Sequence, residues 1–396
     1  MASTPTAPAD PTKAAAYSVL LDISRGLAAL WVFTYHFELS PLLRQAHPIL
    51  QAFVSQGYLG VPMFFVISGY CMMAAARTCL QRHESVAAFL KRRVRRIYPP
   101  FWFSIGVALV APFAMELVSA VKTGHMATPV LGYSAYGVLD WLQLGTLTRG
   151  LIQQDPKPAG AFTAVNAVYW TLAIEVQFYG VLAVALAVPR RFSQILLGVT
   201  VLSGLFFLLP APFAYNVFVP WWPMFAMGMG LYEIRRRRFV PMRWLGARTT
   251  LVPVIAIVAL CAAMAPVLPS FHGAETAFPF CVWFAALLWF AMELEGPLVG
   301  GAGRRLVQLG VWLGTISYSI YLIHNRVFYL VAQVTSQAMS ADTLVFHAIV
   351  MGMTVGVCYI FYRSCERPFI QGRRAPAVVR SVDLDDKSAA REPATG

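Results

Sequence analysis

The sequence predicts an all-α, polytopic membrane helix bundle with about ten transmembrane helices and both termini in the cytoplasm. Apolar residues make up 58% of the 396 residues, charged residues make up 12%, and the mean hydropathy is +0.62. Soluble proteins average about 45–50% apolar and about 25% charged residues. This composition excludes an ordinary soluble protein and leaves room for about ten spans of ~20 residues each.

Each predicted span is an apolar run long enough to cross a hydrocarbon core of about 30 Å. We expect a disordered tail at residues 1–16, a membrane domain over residues 17–370 and a disordered cytoplasmic tail at residues 371–396. The expected spans are residues 18–38, 57–76, 98–118, 164–187, 193–209, 217–234, 249–268, 276–293, 309–331 and 343–363.

Basic residues concentrate in alternate connections, and this pattern sets the orientation because cytoplasmic loops are rich in Lys and Arg. Seven lie within residues 77–96 and six within residues 235–248. The opposite connections are poor in them, including a long polar one at residues 119–162 that contains a short amphipathic piece at 138–148. These loops explain the net charge of +13. We therefore expect a multi-pass protein of the cell inner membrane that contacts lipid and not nucleic acid.

The first predicted span carries three ionisable residues on one stripe: Asp22, Arg25 and His36. A helix turns about 100° per residue, so His36 returns to within about 20° of Arg25, and Asp22 lies within about 40° of His36. Ionisable groups are costly in lipid and usually mark a functional path that faces the bundle interior. The predicted orientation places Asp22 and Arg25 near the cytoplasmic end and His36 near the outer end.

Further polar residues lie at several depths of other predicted spans. Glu175 is close to the middle of the fourth span, and His324 lies in the outer half of the ninth, on one face with Ser317 and Tyr321. An arginine-rich cluster at residues 92–96 marks the cytoplasmic entry to the third span. Arginine suits phosphate binding, so this arrangement favours an anionic cytoplasmic donor and an acceptor on the other side.

Six short segments occur in a characteristic order along the chain. They read LDISRGLAA followed by His36, then FFVISGY, RRVRRIYP, WTLAIEVQFY, FAMG and SYSIYLIH. Together they resemble the motifs of the acyltransferase-3 family of integral membrane O-acyltransferases, over residues 18–370. The chain departs from the family's pattern at Asn325-Arg326, which follow the last motif, and in having the single carboxylate Glu175 in the fourth.

The resemblance implies a membrane O-acyltransferase. The expected donor is cytoplasmic acyl-CoA, with acetyl as the expected acyl group, and the expected acceptor is a hydroxyl of a sugar or glycoconjugate such as an exopolysaccharide or O-antigen unit. No metal is expected, since the six cysteines show no metal-ligand spacing. The implied catalytic residues are His36, Arg25, Glu175 and His324, and the implied donor-binding residues are Arg93, Arg96 and Arg25.

Each of these assignments competes with a structural one. His36 would be the general base on the acceptor hydroxyl or a transient acyl carrier, or it would be an ordinary buried histidine. Glu175 could serve catalysis, or equally it could be a hydrogen-bonding partner of an arginine or a tyrosine. His324 could likewise serve only as a hydrogen-bonding residue within the bundle.

The arginines have an equally simple alternative. Arg25 can pair with Asp22 on the same helix while it positions the donor. Arg93 and Arg96 can bind the phosphates of coenzyme A, or they can serve only as topology determinants at the cytoplasmic boundary.

Two other classes of function remain open at the level of sequence. A transporter or flippase of a glycoconjugate or acyl donor would use the same polar stripe as a pathway. A non-catalytic membrane scaffold would tolerate substitution of Arg25 and His36. Oligomeric state is not predicted.

Overall fold

The computed structural model describes most of the predicted membrane domain. The predicted tails and the predicted seventh span, residues 249–268, lie outside the described residues. Within the described part of the chain the secondary structure is helical and contains no strand, which confirms the all-α prediction. The described residues are 18–37, 39–129, 131–152, 162–207, 217–237, 274–293, 295 and 304–370.

The helices follow the order of the predicted spans. Shorter helices lie between the first and second and between the third and fourth of them. The α-helices of the described ranges are α1 (Val19–Tyr35), α2 (Pro41–Ala46), α3 (Pro48–Ser55), α4 (Gly60–Gln81), α5 (Val86–Thr123), α6 (Val138–Gly145), α7 (Arg149–Ile152), α8 (Tyr169–Ala187), α9 (Phe192–Phe207), α10 (Trp222–Arg236), α11 (Ala274–Glu293), α12 (Arg304–Thr335) and α13 (Leu344–Phe361).

Five helical segments in the described ranges are long and apolar enough to cross a membrane, which makes the chain a multi-pass membrane protein. Helices α1, α9 and α10 coincide with predicted spans but have 17, 16 and 15 residues. The total of ten spans and the side of the termini stay predictions. The five segments are Pro48–Gln81, Val86–Val121, Tyr169–Ala187, Arg304–Thr335 and Leu344–Phe369.

Helices α5 and α12 run in the same direction, as expected for two odd-numbered spans. The Tyr318 hydroxyl donates to the carbonyl of Ile97 at 2.9 Å, and the Gln333 amide donates to the carbonyl of Met115 at 3.0 Å. The residue further along α5 contacts the residue further along α12, so the two helices are parallel. Ile97 therefore lies at the same height as Tyr318, and Met115 at the same height as Gln333, in one wall of the site described below.

Close helix packing depends on glycines. A Cβ built at Gly314 on α12 would overlap the carbonyl of Asp22, and one at Gly26 on α1 would lie 2.7 Å from the amide nitrogen of Gly314. Gly228 on α10 approaches the carbonyl of Val66 on α4 in the same way. In a bilayer, small residues let helices meet backbone to backbone and gain dispersion contacts. These contacts bring the polar residues of α1 and α4 to the middle of the bundle.

The connection after α5 folds back along that helix, and the short piece expected at residues 138–148 forms α6. Helix α5 is capped by Gly124, whose φ of +73° suits glycine. The Tyr133 hydroxyl then donates to the carbonyl of Leu109 at 3.2 Å, and the indole of Trp102 donates to the carbonyl of Gly145 at 2.9 Å. From Leu109 to Trp102 the chain returns by about 10 Å along α5, at ~1.5 Å per residue.

The reason for this re-entrant path is the character of α6. Its side chains Val138, Leu139 and Leu142 are exposed by 79%, 66% and 61%, which suits lipid rather than water. Backbone carbonyls at membrane depth must be satisfied by the protein. Tyr98 does so beside Trp102, since its hydroxyl donates to the carbonyl of Thr146 at 3.0 Å.

Candidate active site

A cavity of about 530 Å³ lies between α1, α4, α5, α8 and α12. Arginines cluster at one end, which we call the basic end. Hydroxyl groups and the Glu175 carboxylate also line it, and Val61, Phe64, Thr171 and Tyr321 line it one turn or more further from the arginines along α4, α8 and α12. The basic end contains Arg82, Arg92, Arg93 and Arg96.

Among the described residues, the basic end contains a buried guanidinium nitrogen that has no hydrogen-bond partner. Glu84 pairs with Arg92 and lies 4.0 Å from Arg82. The Arg93 Nε atom, by contrast, is buried and has no hydrogen-bond partner in the described part of the chain, and its guanidinium lies 5.6 Å from the ring centre of Phe89. A buried N–H that is left unpaired costs free energy unless a ligand or water satisfies it. Arg93 is therefore suited to an anion inside the cavity.

Arg25 reaches the cavity from α1. Its guanidinium pairs with Asp22 one turn earlier at 3.3 Å and also donates to the Cys71 sulfur at 3.3 Å. The expected pairing of Arg25 with Asp22 is thus present. Arg25 also lines the cavity, so it can both hold Asp22 and meet a ligand.

Glu175 is held by two hydroxyl groups. Its Oε1 atom accepts a hydrogen bond from Ser68 at 2.9 Å and one from Tyr179 at 2.5 Å, and all three residues line the cavity. Sequence reasoning singled out neither Ser68 nor Tyr179 as a site residue. Tyr179 was detectable, because it lies four residues after Glu175 and so on the same helix face.

The two predicted histidines lie together but outside the cavity lining. The ring centres of His36 and His324 are 5.3 Å apart, His36 is half-buried and His324 is fully buried. The Nδ1 atom of His324 lies 2.8 Å from the carbonyl of Ile320, which assigns the ring hydrogen to Nδ1. Its Nε2 atom is buried without a hydrogen-bond partner in the described ranges and is left as a proton acceptor.

The departure from the family pattern after His324 holds the start of α8 in place. The Arg326 guanidinium donates to the carbonyl of Val165 at 2.9 Å, and the Asn166 amide donates to the carbonyl of Leu322 at 3.0 Å. These bonds hold the segment before α8 against α12.

One buried carboxylate escaped the sequence analysis. Glu366 lies in a π-helical turn, Tyr362–Glu366, that follows α13, and it is only 3% exposed. Ser319 of α12 donates to it at 2.5 Å. Among the described residues no group of His, Cys, Asp and Glu is arranged to hold a metal ion.

The sequence predictions for the site thus fall into two groups in space. Arg25, Arg93, Arg96 and Glu175 share one cavity. The histidine pair adjoins that cavity through Tyr321, whose ring centre is 6.3 Å from that of His324. The arginines and Glu175 thus line the cavity, whereas the histidine pair lies beside it and not in its lining.

Comparison with known proteins identifies the family of the chain. A family model described as an acyltransferase domain, that of the acyltransferase-3 family, matches residues 19–363. The chain is 26% identical over 331 residues to the exopolysaccharide production protein ExoZ of Rhizobium meliloti, a match that covers 82% of this chain and 93% of that protein.

Two other relatives match shorter stretches. Nodulation protein 10 of Rhizobium leguminosarum is 29% identical over 34% of this chain and 35% of its own length. The O-acetyltransferase OatA of Staphylococcus aureus is 27% identical over 46% of this chain and 28% of its own length. No solved structure matches the chain.

Proposed function

Since the chain belongs to the acyltransferase-3 family, we propose that it transfers an acyl group from acyl-CoA to a hydroxyl of a sugar or glycoconjugate. The donor binds from the cytoplasm, the acyl group is acetyl, and the acceptor is an exopolysaccharide or O-antigen unit on the outer side of the inner membrane. The names of two relatives, an exopolysaccharide production protein and an O-acetyltransferase, support this choice of acceptor and acyl group.

The observation that carries the proposal is the pairing of an arginine-lined cavity with an adjoining histidine pair. Coenzyme A carries phosphate groups, and the unpaired Nε of Arg93 supplies a buried donor for an anion, with Arg96 beside it. Arg25 and the hydrogen-bonded Glu175 lie further in, where they can position the thioester. We assign donor binding to Arg93, Arg96 and Arg25 on these grounds.

The chemical step uses the histidines. His36 takes the proton of the acceptor hydroxyl, whose oxygen attacks the thioester carbonyl, and the carbon–sulfur bond breaks. The departing thiolate receives that proton and leaves as the coenzyme A thiol. His324 supports His36 from 5.3 Å, because its Nε2 atom is a free proton acceptor in an otherwise apolar setting.

The test is acyl transfer by the full-length protein in cells and after purification. Replacing His36 by Ala is expected to lower base-labile acetate on the cell's glycans by about 10²–10⁴-fold, the usual contribution of a general base. The control is His125→Ala, which removes an exposed histidine that lies away from the site. Unchanged glycan acylation with normal protein accumulation would reject the role of His36.

Breakage of the thioester distinguishes an acyltransferase from a transporter or flippase. Purified protein incubated with radiolabelled acetyl-CoA and glycan extracted from the same cells should release coenzyme A and label the glycan without a transmembrane gradient. Movement of glycan or donor across proteoliposomes without thioester loss would favour transport instead.

A further inference from the structure

Three side chains line the part of the donor cavity away from the arginines, and we call them the barrier: Phe64, Thr171 and Tyr321. Val61 lines the cavity one turn before Phe64. All three barrier residues line the cavity, whereas His36 and His324 do not. The ring of Tyr321 packs edge-on against Phe64, with centres 5.6 Å apart. The same ring also lies close to His324, with ring centres 6.3 Å apart. Tyr321 therefore contacts both the cavity and the histidine pair.

Hydrogen bonds hold Tyr321 in this position. Its hydroxyl lies 2.6 Å from the Thr171 hydroxyl, and both hydroxyls lie within hydrogen-bonding distance of the Val168 carbonyl, at 3.0 Å and 3.1 Å. Tyr321 is only 6% exposed. Tyr321 thus links α12 to α8 next to the histidine pair.

We propose that Tyr321 and Thr171 separate the acyl thioester from the histidine pair until the barrier opens, so that the acyl group does not meet an activated water first. This inference rests on the proposed acyl transfer. A histidine that can deprotonate a sugar hydroxyl can also deprotonate water. A closed barrier keeps the thioester from being hydrolysed while no acceptor is bound.

The side reaction that the barrier suppresses is ordinary thioester hydrolysis. A water oxygen attacks the acyl carbonyl, the carbon–sulfur bond breaks, and a free carboxylic acid forms. One proton of the water passes through the histidine to the thiolate of coenzyme A. No other reactant is required.

Weakening the barrier should uncouple hydrolysis from transfer. Thr171→Val removes one of the bonds to the Tyr321 hydroxyl, and Tyr321→Phe removes both. Each lost neutral hydrogen bond shifts such an equilibrium by about fivefold. We expect release of coenzyme A from acetyl-CoA, with no acceptor present, to rise by about fivefold in Thr171→Val and by more than ~10-fold in Tyr321→Phe.

The matched control is Tyr169→Phe. The Tyr169 hydroxyl also makes a buried bond between helices, 3.0 Å from the Ser104 hydroxyl, but Tyr169 does not line the cavity. This variant should hydrolyse acetyl-CoA at the wild-type rate. An equal increase in Tyr169→Phe would show that loosening the bundle, rather than the barrier, causes the leak and would overturn the proposal.

A double variant ties the leak to the histidines. Tyr321→Phe combined with His36→Ala should bring acceptor-free hydrolysis back to the wild-type level. A leak that persists in the double variant, or no leak in Tyr321→Phe when gel filtration shows folded protein, would reject the barrier. Absence of any glycan labelling by the wild-type protein would instead reject the proposed acyl transfer, so the two failures are distinguishable.

Discussion

Arg93 shows why a residue's chemistry has to be read together with its surroundings. In the sequence it is one of several basic residues between the second and third spans, and a topology signal explains it as well as a ligand site does. In the structure its Nε atom is buried, unpaired in the described ranges and next to a cavity, whereas its neighbour Arg95 is exposed and does not line that cavity. The two roles can now be separated by experiment.

Lysine at position 93 keeps the positive charge and loses the Nε donor. Arg93→Lys should therefore insert with normal orientation but raise the KM for acetyl-CoA by about 10-fold or more, because a hydrogen bond to a charged group contributes about 1.5–3 kcal/mol. Steady-state release of coenzyme A in the presence of glycan measures this. Arg95→Lys is the control and should leave KM unchanged, and equal KM values for both variants would leave Arg93 with a topological role alone.

At the scale of helices, the contact between α4 and α10 depends on the absence of a side chain. A methyl group at Gly228 would overlap the backbone of Val66, whereas nothing lies within 4 Å of a Cβ built at Gly230, two residues further on the same helix. Backbone cannot move aside as a flexible side chain can, so α10 would have to shift. Because α4 carries Ser68 and Cys71 into the cavity, such a shift would disturb the site as well.

Gly228→Ala should destabilise the protein by about 1–3 kcal/mol, the usual cost of overpacking a core. The measurement is the midpoint of thermal unfolding in detergent, monitored as the loss of the monodisperse peak in gel filtration. Gly230→Ala is expected to be neutral or stabilising by up to ~1 kcal/mol, since alanine favours the helix over glycine. Equal stability of the two variants would contradict the close contact.

The pattern of apolar residues along the chain predicts the helices of this molecule but not the contacts between them. It located the helices that carry Arg25, Glu175 and His324, because long apolar runs and helical spacing are local properties. It could not show that Tyr321 contacts both the cavity and the histidine pair, since a helical wheel gives the face of each residue and not the side chain that fills the space between helices. Glu366 escaped for the same reason, because its partner Ser319 is distant in sequence.

At the scale of the whole molecule, the arginine-lined end of the cavity and the histidine pair lie at different positions along α12, which runs parallel to α5. Tyr318 bonds to Ile97 on α5, and Glu175 on α8 lies in the cavity that both walls enclose. The re-entrant segment, residues 131–152, lies against α5, where Tyr98 and Trp102 bond to its carbonyls. We expect this segment to lie within the membrane rather than in water.

The depth of that segment can be tested by cysteine labelling. His125 lies just beyond the end of α5, and Leu142 lies on the lipid-facing side of α6, where it is 61% exposed. A charged, membrane-impermeant maleimide should label His125→Cys in right-side-out vesicles and leave Leu142→Cys unlabelled. Both should react after denaturation, and the unmodified protein measures the background from native cysteines.

A loop in water would be labelled at both positions, because each side chain would then meet the aqueous reagent. If the termini lay on the opposite side, His125→Cys would react only in inside-out vesicles while Leu142→Cys would stay protected in both, so the fold of the segment and the orientation of the chain are decided separately.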